Sequence, residues 1–171
     1  MLTAKQVWLL LHLGLSVLIV HGFAGGFATL FSARTGRRRD LVRSLSTVAV
    51  AAAAWGSALT GTFSVYPWYR LPARPGEQLS DFPRSWLVAR PDLQAWQTLG
   101  MEWKEYIGWL VPLLATGIAI VAVRYRDRVN ADPVLRRTLA VLFVVAFAAT
   151  IIAAVLGATL AKVAPNDFLR A

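Results

Sequence analysis

Two histidines on one apolar stretch, His12 and His21, are the side chains best placed to do chemistry in this chain. An ionisable group within an apolar span is a functional candidate by default, because hydrocarbon offers it no hydrogen bond. An imidazole there can ligate a haem iron, relay a proton or hydrogen-bond a quinone, and it can equally donate to a hydroxyl or carbonyl of a neighbouring helix. At about 100° per residue, Gly14, His21, Gly25 and Ala28 share a sector of about 60°. His21 is therefore expected on a small-residue face that contacts another helix. His12 is expected on the opposite side, with Ser16 and Phe23 nearby, and closer to the membrane surface. About 13.5 Å of rise and about 180° of rotation separate the two rings, so one haem cannot take both as axial ligands. Haem b would need a ligand from a partner chain, or Met101 entering the membrane.

A second constellation is Glu102-Trp103-Lys104-Glu105, opening one apolar span, together with Tyr66 and Arg70, leaving another. Arg70 could pair with Glu102 or Glu105 across the helix ends and orient the intervening segment. The sharper alternative is a polar pocket for a small ligand or a proton, with the carboxylates as acceptors. Signatures of enzymes are missing: there is no phosphate-binding glycine loop, no nucleophile elbow and no metal-ligand cluster. No catalytic residue and no metal site are assigned.

The runs Tyr66-Pro67-Trp68-Tyr69-Arg70 and Glu102-Trp103-Lys104-Glu105 resemble those of a group of bacterial four-helix inner-membrane proteins. In that group a Tyr-Pro-x-Tyr-Arg run follows the second helix and an acidic-Lys-Glu run opens the third. A histidine often follows the Lys-Glu pair there, whereas this chain has Tyr106, which weighs against haem ligation at that point. The group brings no established activity with it.

The elements that position these residues are four apolar stretches, at about 6–31, 41–65, 106–123 and 138–162. A hydrocarbon core of about 30 Å needs about 20 apolar helical residues. Only the third stretch is marginal, and no charge interrupts the interior of any of them. The expected fold is all-α: a polytopic membrane protein forming a single four-helix domain over residues 1–171. With 57% hydrophobic and 16% charged residues, the chain is too apolar for an ordinary soluble domain. Absence of cysteine excludes disulfides and thiolate metal sites within the chain. The first span continues too far for a cleaved signal peptide and is expected to be retained.

The net charge of +9 could suggest nucleic acid, but ten of the 18 basic residues flank spans in two short connections. These are Arg34, Arg37, Arg38, Arg39 and Arg43 in the first, and Arg124, Arg126, Arg128, Arg136 and Arg137 in the second. Such clusters mark the cytoplasmic side and contact anionic lipid headgroups; a nucleic-acid role is not expected. The segment 66–105 carries five basic and five acidic residues and is neutral. Two hairpins with both termini and segment 66–105 outside follow from this asymmetry, and a bacterial cytoplasmic (inner) membrane is what the resemblance implies.

Within segment 66–105, the proline-rich run from Tyr66 to Gly76 favours extended chain and turns. Leu93, Trp96, Leu99 and Trp103 recur at helical spacing, which suits either an interfacial helix or an extension of the third span. Trp8, Trp68, Trp86, Trp96, Trp103 and Trp109 fall near the outer surface, where an amphipathic ring anchors; an aromatic pocket or docking face is the alternative. Small residues on the second span (Ala49, Ala52, Ala53, Gly56, Ser57, Thr60, Gly61) and on the fourth (Ala149, Ala153, Gly157, Ala161) suit close helix packing. Pro112 is expected to kink the third span. The expected role is a non-catalytic subunit or scaffold of a larger bacterial membrane complex, an energy-conserving one among the options. One alternative is a haem- or quinone-associated electron-transfer module using His21 with a partner chain. The other is a small oligomeric transporter or proton-conducting protein.

Overall fold

The computed structural model describes residues 2–32 and 36–164 and is helical throughout, with no strand among the described residues. Helix α1 (Ala4–Leu30) begins with Thr3 and Gln6 in a reciprocal capping box. Helix α2 (Arg37–Thr60) runs on without a break through a π-helical turn, Gly61–Val65, into the short α3 (Tyr66–Tyr69). Pro67 has no N–H with which to continue the regular ladder, and the Tyr66 N–H bonds Gly61 O five residues back. Segment 66–105 then holds α4 (Pro83–Val88) and a second π-helical turn, Trp96–Met101, which leads straight into α5 (Glu102–Arg124). The short α6 (Arg126–Ala131) turns the chain into α7 (Pro133–Val163), capped by the Asp132 carboxylate on Val134 N and Leu135 N at 2.8 and 3.3 Å.

Four continuous helices, Ala4–Leu30, Arg37–Tyr69, Trp96–Arg124 and Pro133–Val163, are long and apolar enough to cross a membrane. The third is therefore not marginal, because the π-helical turn adds its residues to the span. Of the two readings of residues 93–103, the extension holds. The expectation of extended chain from Tyr66 fails for its first four residues, where Pro67 occupies an early helical position that needs no N–H.

Helix α1 packs along α2, α2 against α5, and α5 against α7, with α1 also touching α7. Close approach uses Gly22 and Gly26 of α1. A Cβ on Gly22 would clash with Val50, and one on Gly26 would lie 2.9 Å from the Phe143 ring. Phe143 meets Phe23 edge-on at 6.0 Å in the centre of the core. Between α2 and α5, Trp55 Nε1 donates to Thr116 Oγ1 at 3.0 Å. A second, smaller core of Leu87, Met101, Leu160 and Ala164 seats segment 66–105 on the end of α7, with Tyr66, Tyr69, Trp86 and Trp96 packed around it. We call this the capped end, and the opposite one the arginine end.

At the arginine end, Arg43 is only 1% exposed and is the largest fully buried side chain. Its guanidinium donates to Asp40 Oδ1 and to Asn130 Oδ1, both at 3.1 Å. Arg39 reaches the same two acceptors, at 3.2 and 2.7 Å, and the Asn130 amide donates back to both Asp40 oxygens. Two residues expected to face lipid headgroups thus tie the start of α2 to α6. Arg37 and Arg38 stay exposed, and Arg34 lies outside the described residues.

Removing Asp40 strands a buried charge. Asp40→Ala should cost about 3 kcal/mol, read as a lowered unfolding midpoint in detergent, while Arg37→Ala should stay within about 0.5 kcal/mol.

Candidate functional site

His12 and His21 exchange their expected places. His21 is exposed, and its Nδ1–H donates to Val17 O of its own helix at 2.9 Å. Gly14 has nothing within 4 Å of a built Cβ, and Gly25 meets only Ser46 Oγ at 3.7 Å. The Gly14–His21–Gly25–Ala28 sector is therefore the outer face of α1. The inner face is the one through His12, Ile19, Gly22, Phe23 and Gly26, because Val50 and Phe143 of the neighbouring helices fit there.

His12 is half-buried and donates from Nδ1 to Ser57 O at 2.9 Å, with Ser57 Oγ at 3.3 Å and Thr60 Oγ1 at 3.5 Å. That bond fixes the Nδ1–H tautomer and leaves Nε2 as an acceptor. Ser16 Oγ donates to His12 O at 2.9 Å and lies 3.1 Å from Ser57 Oγ. The ring rests on Gly61, where a Cβ would sit 2.9 Å from its Cε1. Glycine at the head of the π-helical turn is thus the space His12 occupies.

Lys104 repeats this arrangement on the other helix pair. Its aliphatic stem crosses Gly157 of α7, where a Cβ would sit 3.2 Å from Cε. His12 and Lys104 are electrostatic neighbours. One layer of the bundle therefore takes a polar side chain from α1 and another from α5, each seated on a glycine of a neighbouring helix. Beside it, Glu105 is an electrostatic neighbour of both Lys104 and Tyr66. Above, the Tyr69 hydroxyl donates to Oε1 of the buried Gln97, and Tyr66 and Tyr69 stack at 6.0 Å.

Of the expected outer cluster, Tyr66, Lys104 and Glu105 come together, and His12 joins them. Glu102 is exposed and takes no part. Arg70 does not make the expected pairing with Glu102 or Glu105; its guanidinium lies over the Tyr66 ring, 5.3 Å from the centroid. Trp86 is stacked by Arg90 and packs in the small core with Trp96, Trp68 is half-buried, and Trp103 and Trp109 face outward. Sequence reasoning missed Gln97, Ser57 and Tyr69 as members. Tyr69 stands inside the recognised run, but Gln97 is turned inward by the π-helical winding, which a 3.6-residue period does not register. Leu99 and Trp103, both assigned to the apolar stripe, are each 61% exposed for the same reason.

Gly61→Ala should push the imidazole off Ser57 and cost about 1–3 kcal/mol. A thermal shift in detergent measures this, and Gly14→Ala on the open face should leave the midpoint unchanged. Comparison with known protein families, curated proteins and solved structures finds no match to this chain, so what the protein does has to be read from these side chains.

Proposed function

We propose that this is an integral membrane protein whose four long helices cross a bacterial cytoplasmic membrane as two hairpins, and that it serves as a non-catalytic subunit or scaffold of a larger membrane assembly. His21 is the observation that carries the reading. It lies near the middle of α1, exposed, with one ring nitrogen bonded to its own helix and the other without a partner among the described residues. An imidazole nitrogen facing hydrocarbon loses the hydrogen bond that water would give it, whereas a neighbouring polypeptide restores it. Gly14, Ala24, Gly25 and Ala28 around it leave the face flat enough for close helix approach. Only 11% of the most apolar window of α1 is buried, the smallest share of the four long helices. The partner is another membrane subunit or a second copy of the chain.

The same free nitrogen supports the second reading, a haem iron or quinone shared with a partner chain through His21. His12 faces the interior, so the two histidines serve different surfaces.

In mild detergent the protein extracted from its native membrane should migrate as an assembly, and His21→Leu should release it while the unfolding midpoint holds. Recovery of the monomer alone from unmodified protein overturns the subunit reading. A Soret band in the native assembly that His21→Leu removes supports the haem version, and its absence leaves the scaffold reading standing.

Both termini and segment 66–105 are assigned to the outside on the arginine clusters. The chain has no cysteine, so single cysteines at Arg37 and Gln78, both exposed, report cleanly. Impermeant reagents should modify them from opposite sides of the membrane; modification of both from one side would sink the topology.

A further inference from the structure

Hydrogen-bond acceptors run short in the knot at the arginine end. Asp40 Oδ1 alone receives Arg39 Nε at 3.3 Å, Arg39 Nη2 at 3.2 Å, Arg43 Nη2 at 3.1 Å and the Asn130 amide at 3.3 Å. A carboxylate oxygen offers about two lone pairs, so these donors crowd an acceptor that suits fewer. Asn130 Oδ1 is already shared by Arg39 Nη2 and Arg43 Nη1. The Arg43 Nε–H is sealed from solvent without an acceptor, and Arg39 Nη1 has none among the described residues. Two guanidinium groups against one carboxylate also leave the knot with an uncompensated positive charge. What it lacks is an anion with several oxygens.

Such an anion can reach it. Arg39 and Asp40 keep 15% and 20% of their side chains exposed. Arg37 and Arg38, just before them, are exposed and make no ion pair or hydrogen bond among the described residues. The bonds to Asn130 also draw two arginine clusters, far apart in the chain, into one patch. Over residues 37–43 and 124–137, nine arginines stand against three aspartates, a net charge of +6. Those aspartates are committed: Asp40 to the knot, Asp132 to capping α7, and Asp127 to Arg126 at 3.7 Å.

The surface beside the charge decides the class of anion. Leu41, Val42 and Leu45 follow the arginines on α2 and are exposed, as is Val134 beside Arg136 and Arg137. A nucleic acid or a soluble acidic protein would meet the arginines and leave these side chains bare. A molecule with a phosphate head and hydrocarbon tails meets both. Guanidinium is also the side-chain group whose paired N–H donors match phosphate oxygens. We propose that the arginine end binds the phosphate headgroup of an anionic membrane phospholipid, with Arg39 as its innermost donor and Arg37 and Arg38 beside it. Phosphate oxygens give Arg39 Nη1 its acceptor and cancel the excess charge of the knot, while the tails lie along Leu41, Val42 and Leu45. General attraction between arginines and headgroups needs no such site; an acceptor-poor knot makes one.

Native mass spectrometry of the full chain tests the site, after incubation in mild detergent with equal amounts of phosphatidylglycerol and phosphatidylcholine of one chain length. The unmodified protein should retain phosphatidylglycerol in preference. Arg39→Gln and Arg37→Gln should each lower that retention about fivefold. Arg74→Gln, an equal loss of charge at an exposed position of segment 66–105, should leave it unchanged. Should Arg39→Gln not fold, Arg37→Gln, which removes no contact within the chain, still decides. Equal retention of the two lipids by the unmodified protein, or an equal loss with Arg74→Gln, overturns the proposal. Displacement of phosphatidylglycerol by inorganic phosphate would assign the knot to a soluble anion and overturn it too. The site rests on the membrane placement of the long helices and asks nothing of the His21 face. Recovery of the protein outside the membrane fraction would sink that placement and the site together, whereas recovery in the membrane without lipid preference sinks the site alone.

Discussion

His12, Arg43 and Lys104 each depend on a partner or a space that the chain itself supplies. Apolar surroundings offer no competing hydrogen bond, and they provide no hydrophobic drive to hold helices together. His12 meets the requirement with a carbonyl of α2, Arg43 with an aspartate on its own helix and an asparagine 87 residues away. Glycine then supplies the close approach that these helices need. Gly61 and Gly157 are valuable for the volume they leave to His12 and Lys104, and Gly22 and Gly26 for what they leave to Val50 and Phe143. Polar satisfaction and close packing are one problem here, solved at the same positions.

The two π-helical turns belong to the same solution. One lies under His12 and the other carries Gln97, Gly100 and Met101 inward. Each breaks the regular ladder at the capped end, where the long helices meet segment 66–105. Regular α-helix would have turned Gln97 and the Trp96 ring to other faces, and the small core around Leu87 and Leu160 would have lost its lid.

The four long apolar helices were legible because length and uninterrupted apolarity are properties of a segment by itself. Which face of α1 turns inward was not, because glycine and alanine occur on both of its faces. Only the neighbours resolve it: Val50 and Phe143 need Gly22 and Gly26, and nothing comparable approaches Gly14. At the arginine end the inward turn of Arg43 was hidden for a related reason. A cluster of arginines beside a span has one composition whether its members face headgroups or are folded inward, and Arg43 differs from Arg37 only through Asp40, one turn away, and the distant Asn130. The cluster of Tyr66, Lys104 and Glu105 was legible because its members flank two span ends that topology brings together.

The knot of Arg43, Asp40 and Asn130 also imposes an order in time. Arg43 is synthesised long before Asn130, so α1 and α2 are complete while one of the two groups that satisfy this guanidinium does not yet exist. Asp40, on the same helix, can hold it meanwhile. The first helix pair is therefore born unfinished at its arginine end, and α6 completes there a joint between the early and late halves that α5 has already begun through Trp55 and Thr116.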